Sequence, residues 1–169
     1  MRRKHPHPPS FAARPLRRAG ATTRQPRLRL SIVGAEKHAG VPSRATLRRW
    51  VGMALEADAE LALVLVGTRA GRSLNREFRS RDYATNVLTF AYARRPRVLA
   101  DIVLCLPVVR REAREQSKTM RQHLAHLVFH GVLHAQGYDH ERERDAIRMQ
   151  GLERELLARL RIPDPYAVS

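Results

Sequence analysis

Residues 28 to 106 alternate short apolar runs with segments of helical period, and beyond residue 106 the helical period takes over. Leu28 to Val33 (L-R-L-S-I-V) begins by alternating apolar and polar positions, the period of a half-buried strand. Pro42 and Ser43 precede Leu47, Trp50, Val51, Ala54 and Leu55. That i, i+3, i+4, i+7, i+8 stripe behind a capping serine predicts an amphipathic helix. Leu61 to Val66 is a continuous apolar run closed by Gly67, which predicts a buried strand, and Thr68 opens a short helix through about Phe78. Thr85 to Tyr92 and Val98 to Leu106, joined across Arg94-Arg95-Pro96, read as a strand pair in which Val87 and Phe90 serve the core. After Pro107, helices are expected over about 108–117, 118–136 and 142–161, with a break at Gly137 and an end before Pro163 and Pro165. Strands interleaved with helices and then followed by helices predict an α+β or mixed α/β layer fold.

Hydrophobic residues make up 43% of the 169, ordinary globular usage, which excludes a wholly disordered or collagen-like chain. The longest apolar run falls far short of the roughly 20 residues of a membrane-spanning helix, so a soluble protein without a membrane partner is expected. The net charge of +16 points to a polyanionic partner, with nucleic acid first. Nine basic residues and no acid lie in residues 1–35, leaving 23 basic against 16 acidic residues in the rest. Residues 1–26, Pro- and Arg-rich with no apolar period, are expected to be a disordered basic tail, residues 27–162 the folded domain and 163–169 a short C-terminal tail. The single Cys105 cannot form an intramolecular disulfide, and no secretory signal opens the chain, so the cytoplasm is expected, with organelle targeting by the basic N-terminus as the lesser alternative.

Five of the eight histidines fall between positions 123 and 140. His130 and His134, four apart, project from one helix face with Cβ atoms about 6 Å apart, and Gly137 can take the left-handed conformation that turns the chain back to bring His140 in as a third ligand. Three imidazoles leave a coordination position open, the pattern of catalytic zinc. The spacing H-x-x-x-H-x-x-G-x-x-H matches that of the metzincin proteases except that position 131 is Gly where they carry the general-base Glu, which argues against peptide hydrolysis. His123 and His126 are assigned to packing, Cys105 to a buried strand position outside the ligand set, and Asp139 either to orienting a histidine or to capping the loop.

The segment HGVLHAQGYDH resembles the H-G-x-L-H-x-x-G-Y-D-H signature of the YbeY endoribonucleases. Upstream, LNREFRSRDYATNVLTF at 74–90 and ADIVL at 100–104 resemble that family's L-N-x-x-Y-R-x-K-D-x-P-T-D-V-L-S-F and G-D-I-V-I segments, in the same order. The resemblance implies a single α+β domain with a mixed four-stranded sheet packed by helices and a zincin-like metal helix. It implies one Zn2+ per chain on His130, His134 and His140, with Arg79 in the place of the family's functional arginine. The implied activity is single-strand-specific cleavage of RNA in ribosomal RNA maturation, at the small-subunit 3′ end, and in ribosome quality control. The implied partners are ribosomal RNA and the small subunit with its proteins. A guanidinium at Arg79 suits that chemistry, because it can clamp phosphate oxygens and stabilise the extra charge of the transition state. The attacking group stays open between zinc hydroxide and the substrate's own 2′-hydroxyl. Asn86 stands where the family carries Asp, so a role needing a carboxylate there is not available. Two other readings compete: a non-catalytic ribosome assembly factor with a structural metal, and a zinc peptidase.

Overall fold

The computed structural model describes residues 24–167; residues 1–23 of the expected basic tail and the last two residues lie outside the described part. The opening alternation becomes β1 (Leu28–Val33), with Leu28, Leu30 and Ile32 turned toward the helices and Arg29, Ser31 and Val33 exposed. Ser43 caps α1 (Arg44–Ala54), its side chain accepting from the Thr46 amide at 3.2 Å, and the predicted stripe Leu47, Trp50, Val51 and Ala54 is buried. β2 (Ala59–Val66) and α2 (Thr68–Arg79) follow, then β3 (Val87–Ala93) and β4 (Val98–Cys105), then α3 (Leu106–Glu115), α4 (Met120–Ala135) and α5 (Glu143–Arg159). Pro107 sits within the first turn of α3 rather than before it, where its missing N–H costs no helical bond.

The sheet runs β1-β2-β4-β3. β1 and β2, and β2 and β4, are parallel, because the chain between them crosses over as helix; β3 and β4 are antiparallel across a short turn. This is the mixed four-stranded sheet of the expected α+β unit. Two packing expectations need correction. In β2 only Leu61, Leu63 and Leu65 are buried among the run 61–66; Ala62, Val64 and Val66 are half-buried, because helices fully cover just one face of that strand. In β3 the buried residue is Leu88, whereas Phe90 is half-buried and meets the exposed Phe78 of α2 edge-on, ring centroids 5.0 Å apart. β3 is an edge strand, and Phe90 lies further along the face that buries Leu88, where it meets the end of α2. No helix among the described residues is long and apolar enough to cross a membrane.

α4 is the axis of the molecule. Thr119 and Gln122 close a reciprocal capping box at its start, and it is buried on nearly every side, packed against α1, α3, α5 and the β3–β4 half of the sheet. Its approach to the sheet depends on Gly131, where a Cβ would stand 2.7 Å from Ile102 Cγ2 and 3.4 Å from Thr89 Oγ1.

Candidate functional site

His130 and His134 stand one turn apart near the C-terminal end of α4, their ring centroids separated by 4.6 Å. The helix then ends in a Schellman motif: the Gly137 amide donates to His134 O at 2.9 Å and the Tyr138 amide to Leu133 O at 3.1 Å, with Gly137 at φ 100°. Asp139 holds the next turn, its Oδ1 accepting from the amides of His140 (2.6 Å) and Glu141 (3.2 Å); of the two roles open to it, it fills the loop cap. The result places His140 Nδ1 3.0 Å from His134 Nε2, and one donor atom from each of the three histidines lies within 4.8 Å of the others. Tetrahedral bonds of 2.0–2.1 Å require nitrogens about 3.3 Å apart, so small side-chain adjustments close the site on one ion.

Behind His130 lies a residue that spacing alone does not reveal. Glu153, 1% exposed on the inner face of α5, accepts the His130 Nδ1–H at 2.7 Å and leaves Nε2 as the ring nitrogen free to take a ligand role. The other carboxylate oxygen accepts from the Tyr166 hydroxyl and faces His126 Nε2 at 3.4 Å. Burial works to raise the Glu153 pKa, but the hydrogen bonds from His126, His130 and Tyr166 outweigh it and bring the group down to about 2. Burial, then the neighbouring His130 and His140, lower His134 to about 4 against the pull of Asp139, so its ring is neutral and free to donate a lone pair. The donor set, its tautomer control and its protonation fit a zinc ion.

Position 131 points into the sheet, toward Ile102 and Thr89, where no side chain has room. The absence of the protease glutamate is therefore a packing requirement of this fold. His123 and His126 are packing residues, as expected: His123 Nε2 bonds Glu112 at 2.7 Å, and His126 bonds Tyr166 at 3.2 Å. Asn86 belongs to the first of these networks, its Nδ2 donating to the same Glu112 oxygen at 2.9 Å. A carboxylate at 86 would oppose Glu112, so the amide is the residue this network needs. Cys105 is buried beside Gly71 of α2 and lies outside the histidine cluster.

Arg79 ends α2, exposed and with no hydrogen bond or ion pair to another described residue, so it is not part of the cluster itself. What relates the two is β3. Thr89 faces Gly131 of α4, while its neighbour Phe90, on the opposite face of the strand, meets Phe78 beside Arg79. Arg79 and the histidine helix thus flank one edge strand. The chain just past β3 adds a cation that sequence reasoning took for a turn residue: a Cβ on Gly137 would stand 3.1 Å from Arg94 Nε, so this exposed guanidinium lies over the loop between the second and third histidines.

The family model described as Endoribonuclease YbeY matches residues 38–161. Proteins named Endoribonuclease YbeY from Polaromonas sp. and Aromatoleum aromaticum are similar to this chain. The first is 55% identical over 134 residues, covering 79% of this chain and 87% of its own. The second is 50% identical over 152 residues, covering 88% and 99%. A solution structure of a Thermotoga maritima protein is similar in fold, with TM-score 0.53 and 26% identity, covering 82% of this chain and 99% of its own.

Proposed function

The chain belongs to the endoribonuclease YbeY family, and from that membership we propose that it is a zinc-dependent, single-strand-specific endoribonuclease. Its proposed place is ribosomal RNA maturation, at the small-subunit 3′ end, and ribosome quality control in the bacterial cytoplasm. The observation that carries the metal dependence is the three-histidine cluster with Glu153 behind it. His130, His134 and His140 hold the ion, which when bound supplies the Lewis acidity that phosphodiester cleavage draws on.

The protein's own residues do the rest. Glu153 fixes the His130 tautomer through the Nδ1–H bond. Arg79, unpaired by any described carboxylate, is available to a phosphate oxygen of the substrate, and Arg94 sets a second positive charge over the metal loop. Exposed Phe78, next to Arg79, offers a ring on which an unpaired base can stack, a contact that a duplex withholds.

The test is cleavage of a single-stranded and a duplex RNA by zinc-loaded protein, with Arg79→Ala and His134→Ala run alongside at matched folding. Only the single strand is cleaved, and each variant loses on the order of 100-fold or more in rate. Wild-type protein that cleaves no RNA at any zinc load, yet binds ribosomes, replaces the nuclease by the assembly-factor reading; cleavage of casein restores the peptidase.

A further inference from the structure

At the opposite end of α4 from the histidines, three segments distant in the chain enclose a pocket of about 450 Å³: the middle of α1, the start of α4 and the end of α5 with the residues after it. That volume lies in the range of ordinary ligand sites. Four arginines line it, Arg49, Arg121, Arg159 and Arg161, and none of their guanidinium groups makes an ion pair or hydrogen bond with another described residue. Four uncompensated like charges around one concavity repel one another, and a bound polyanion relieves that cost. Some arginines elsewhere are neutralised directly, as in Arg24 with Asp58, Arg72 with Asp82 and Arg154 with Asp164.

Two further features have the same sign. The α4 N-terminus opens here, with the Thr119–Gln122 box satisfying two amides and leaving those of Met120 and Arg121 without an acceptor among the described residues. Trp50, 1% exposed, lies in the pocket wall under the Arg121 guanidinium, 5.1 Å from the ring centroid. Arg161 occupies the left-handed C′ position of α5, φ 56°, where glycine is the unstrained residue; the chain keeps a cation there despite the backbone cost.

We propose that this pocket is a second phosphodiester-binding site that holds the RNA strand away from the cleavage centre. It rests on the RNA-substrate reading above and assigns the strand a second anchor. Gln122 and His134 are separated by twelve residues of helix, about 18 Å, a span that an extended strand covers in a few nucleotides.

Trp50 is the one tryptophan of the chain, so its emission reports on this pocket directly. Full-length zinc-loaded protein is titrated with a short single-stranded 2′-O-methyl oligoribonucleotide, its integrity checked afterwards, across a series of salt concentrations. Wild type shows a saturable change in Trp50 emission. Arg121→Gln combined with Arg161→Gly binds roughly tenfold more weakly at low salt, and its log–log salt slope is shallower by about 1.4, two phosphate contacts at about 0.7 each. Arg49→Gln with Arg159→Gln gives the same change, while Arg29→Gln on the exposed face of β1 does not. The melting temperature of Arg161→Gly is equal to or above that of wild type, so weaker binding is not unfolding. Unchanged affinity and slope in both double variants overturn the site, as does a Trp50 response to anionic lipid vesicles without one to RNA. Cleavage is scored separately: a wild type that cleaves nothing while the double variants lose RNA affinity refutes the nuclease and keeps the pocket; intact cleavage with unchanged binding does the reverse.

Discussion

A histidine has two ring nitrogens, and the bond made by one decides what the other can do. For His130 that decision is made by Glu153, and for His123 by Glu112. Glu153→Gln keeps the shape of the side chain but removes its charge, and an amide can present its NH₂ to the ring in place of an acceptor. Zinc affinity, measured by competition with a chromophoric chelator, falls by about 10- to 100-fold while far-UV circular dichroism is unchanged; undiminished affinity refutes the role. The three clustered histidines were readable in the sequence because their relation is local, four residues on one helix and six across a glycine turn. Glu153 left a fainter trace, an acid set among Met149, Leu152, Leu156 and Leu157 on the buried face of its helix. Its partner could not be read, because His130 is 23 residues away and the meeting depends on how α5 docks.

At the scale of elements, the ends of helices were legible and the faces of strands less so. Ser43 and Thr119 announce their helices through hydrogen bonds to amides three residues on, which need no tertiary partner. The burial of Phe90 depended on what lies over its own face of β3, where it meets the exposed Phe78 at the end of α2. Gly131 shows how tightly α4 is fitted. Gly131→Ala has better helix propensity, yet it drives a methyl to 2.7 Å from Ile102 Cγ2. We expect a loss of about 1–3 kcal/mol from overpacking, seen as a lower urea midpoint with an unchanged m-value. A midpoint equal to or above wild type would mean that α4 does not sit against the sheet as described.

Across the whole molecule, the histidine centre makes stability depend on pH when metal is absent. Unfolded, His134 titrates near 6.5 and Glu153 near 4.5; folded, they do so only at about 4 and about 2. In both intervals the unfolded chain binds more protons, so folding stability is complete above the unfolded values and is lost as pH falls, first from 6.5 to 4 and then from 4.5 to about 2. The urea midpoint of chelator-treated protein therefore declines steadily below about pH 6.5; a flat midpoint contradicts the burial of His134 and the hydrogen bonds that hold Glu153 ionised. The order of residues along the chain determined by itself whatever short-range spacing controls: the succession of strands and helices, the three histidines, and a surplus of positive charge. Which nitrogen of His130 remains free, why position 131 must be glycine, that Arg94 lies over the loop between His134 and His140, and that four arginines from three segments line one pocket with Trp50 were decided by tertiary structure. Each joins residues far apart in the chain, and their distance is set by sheet order and helix docking, which no local pattern encodes.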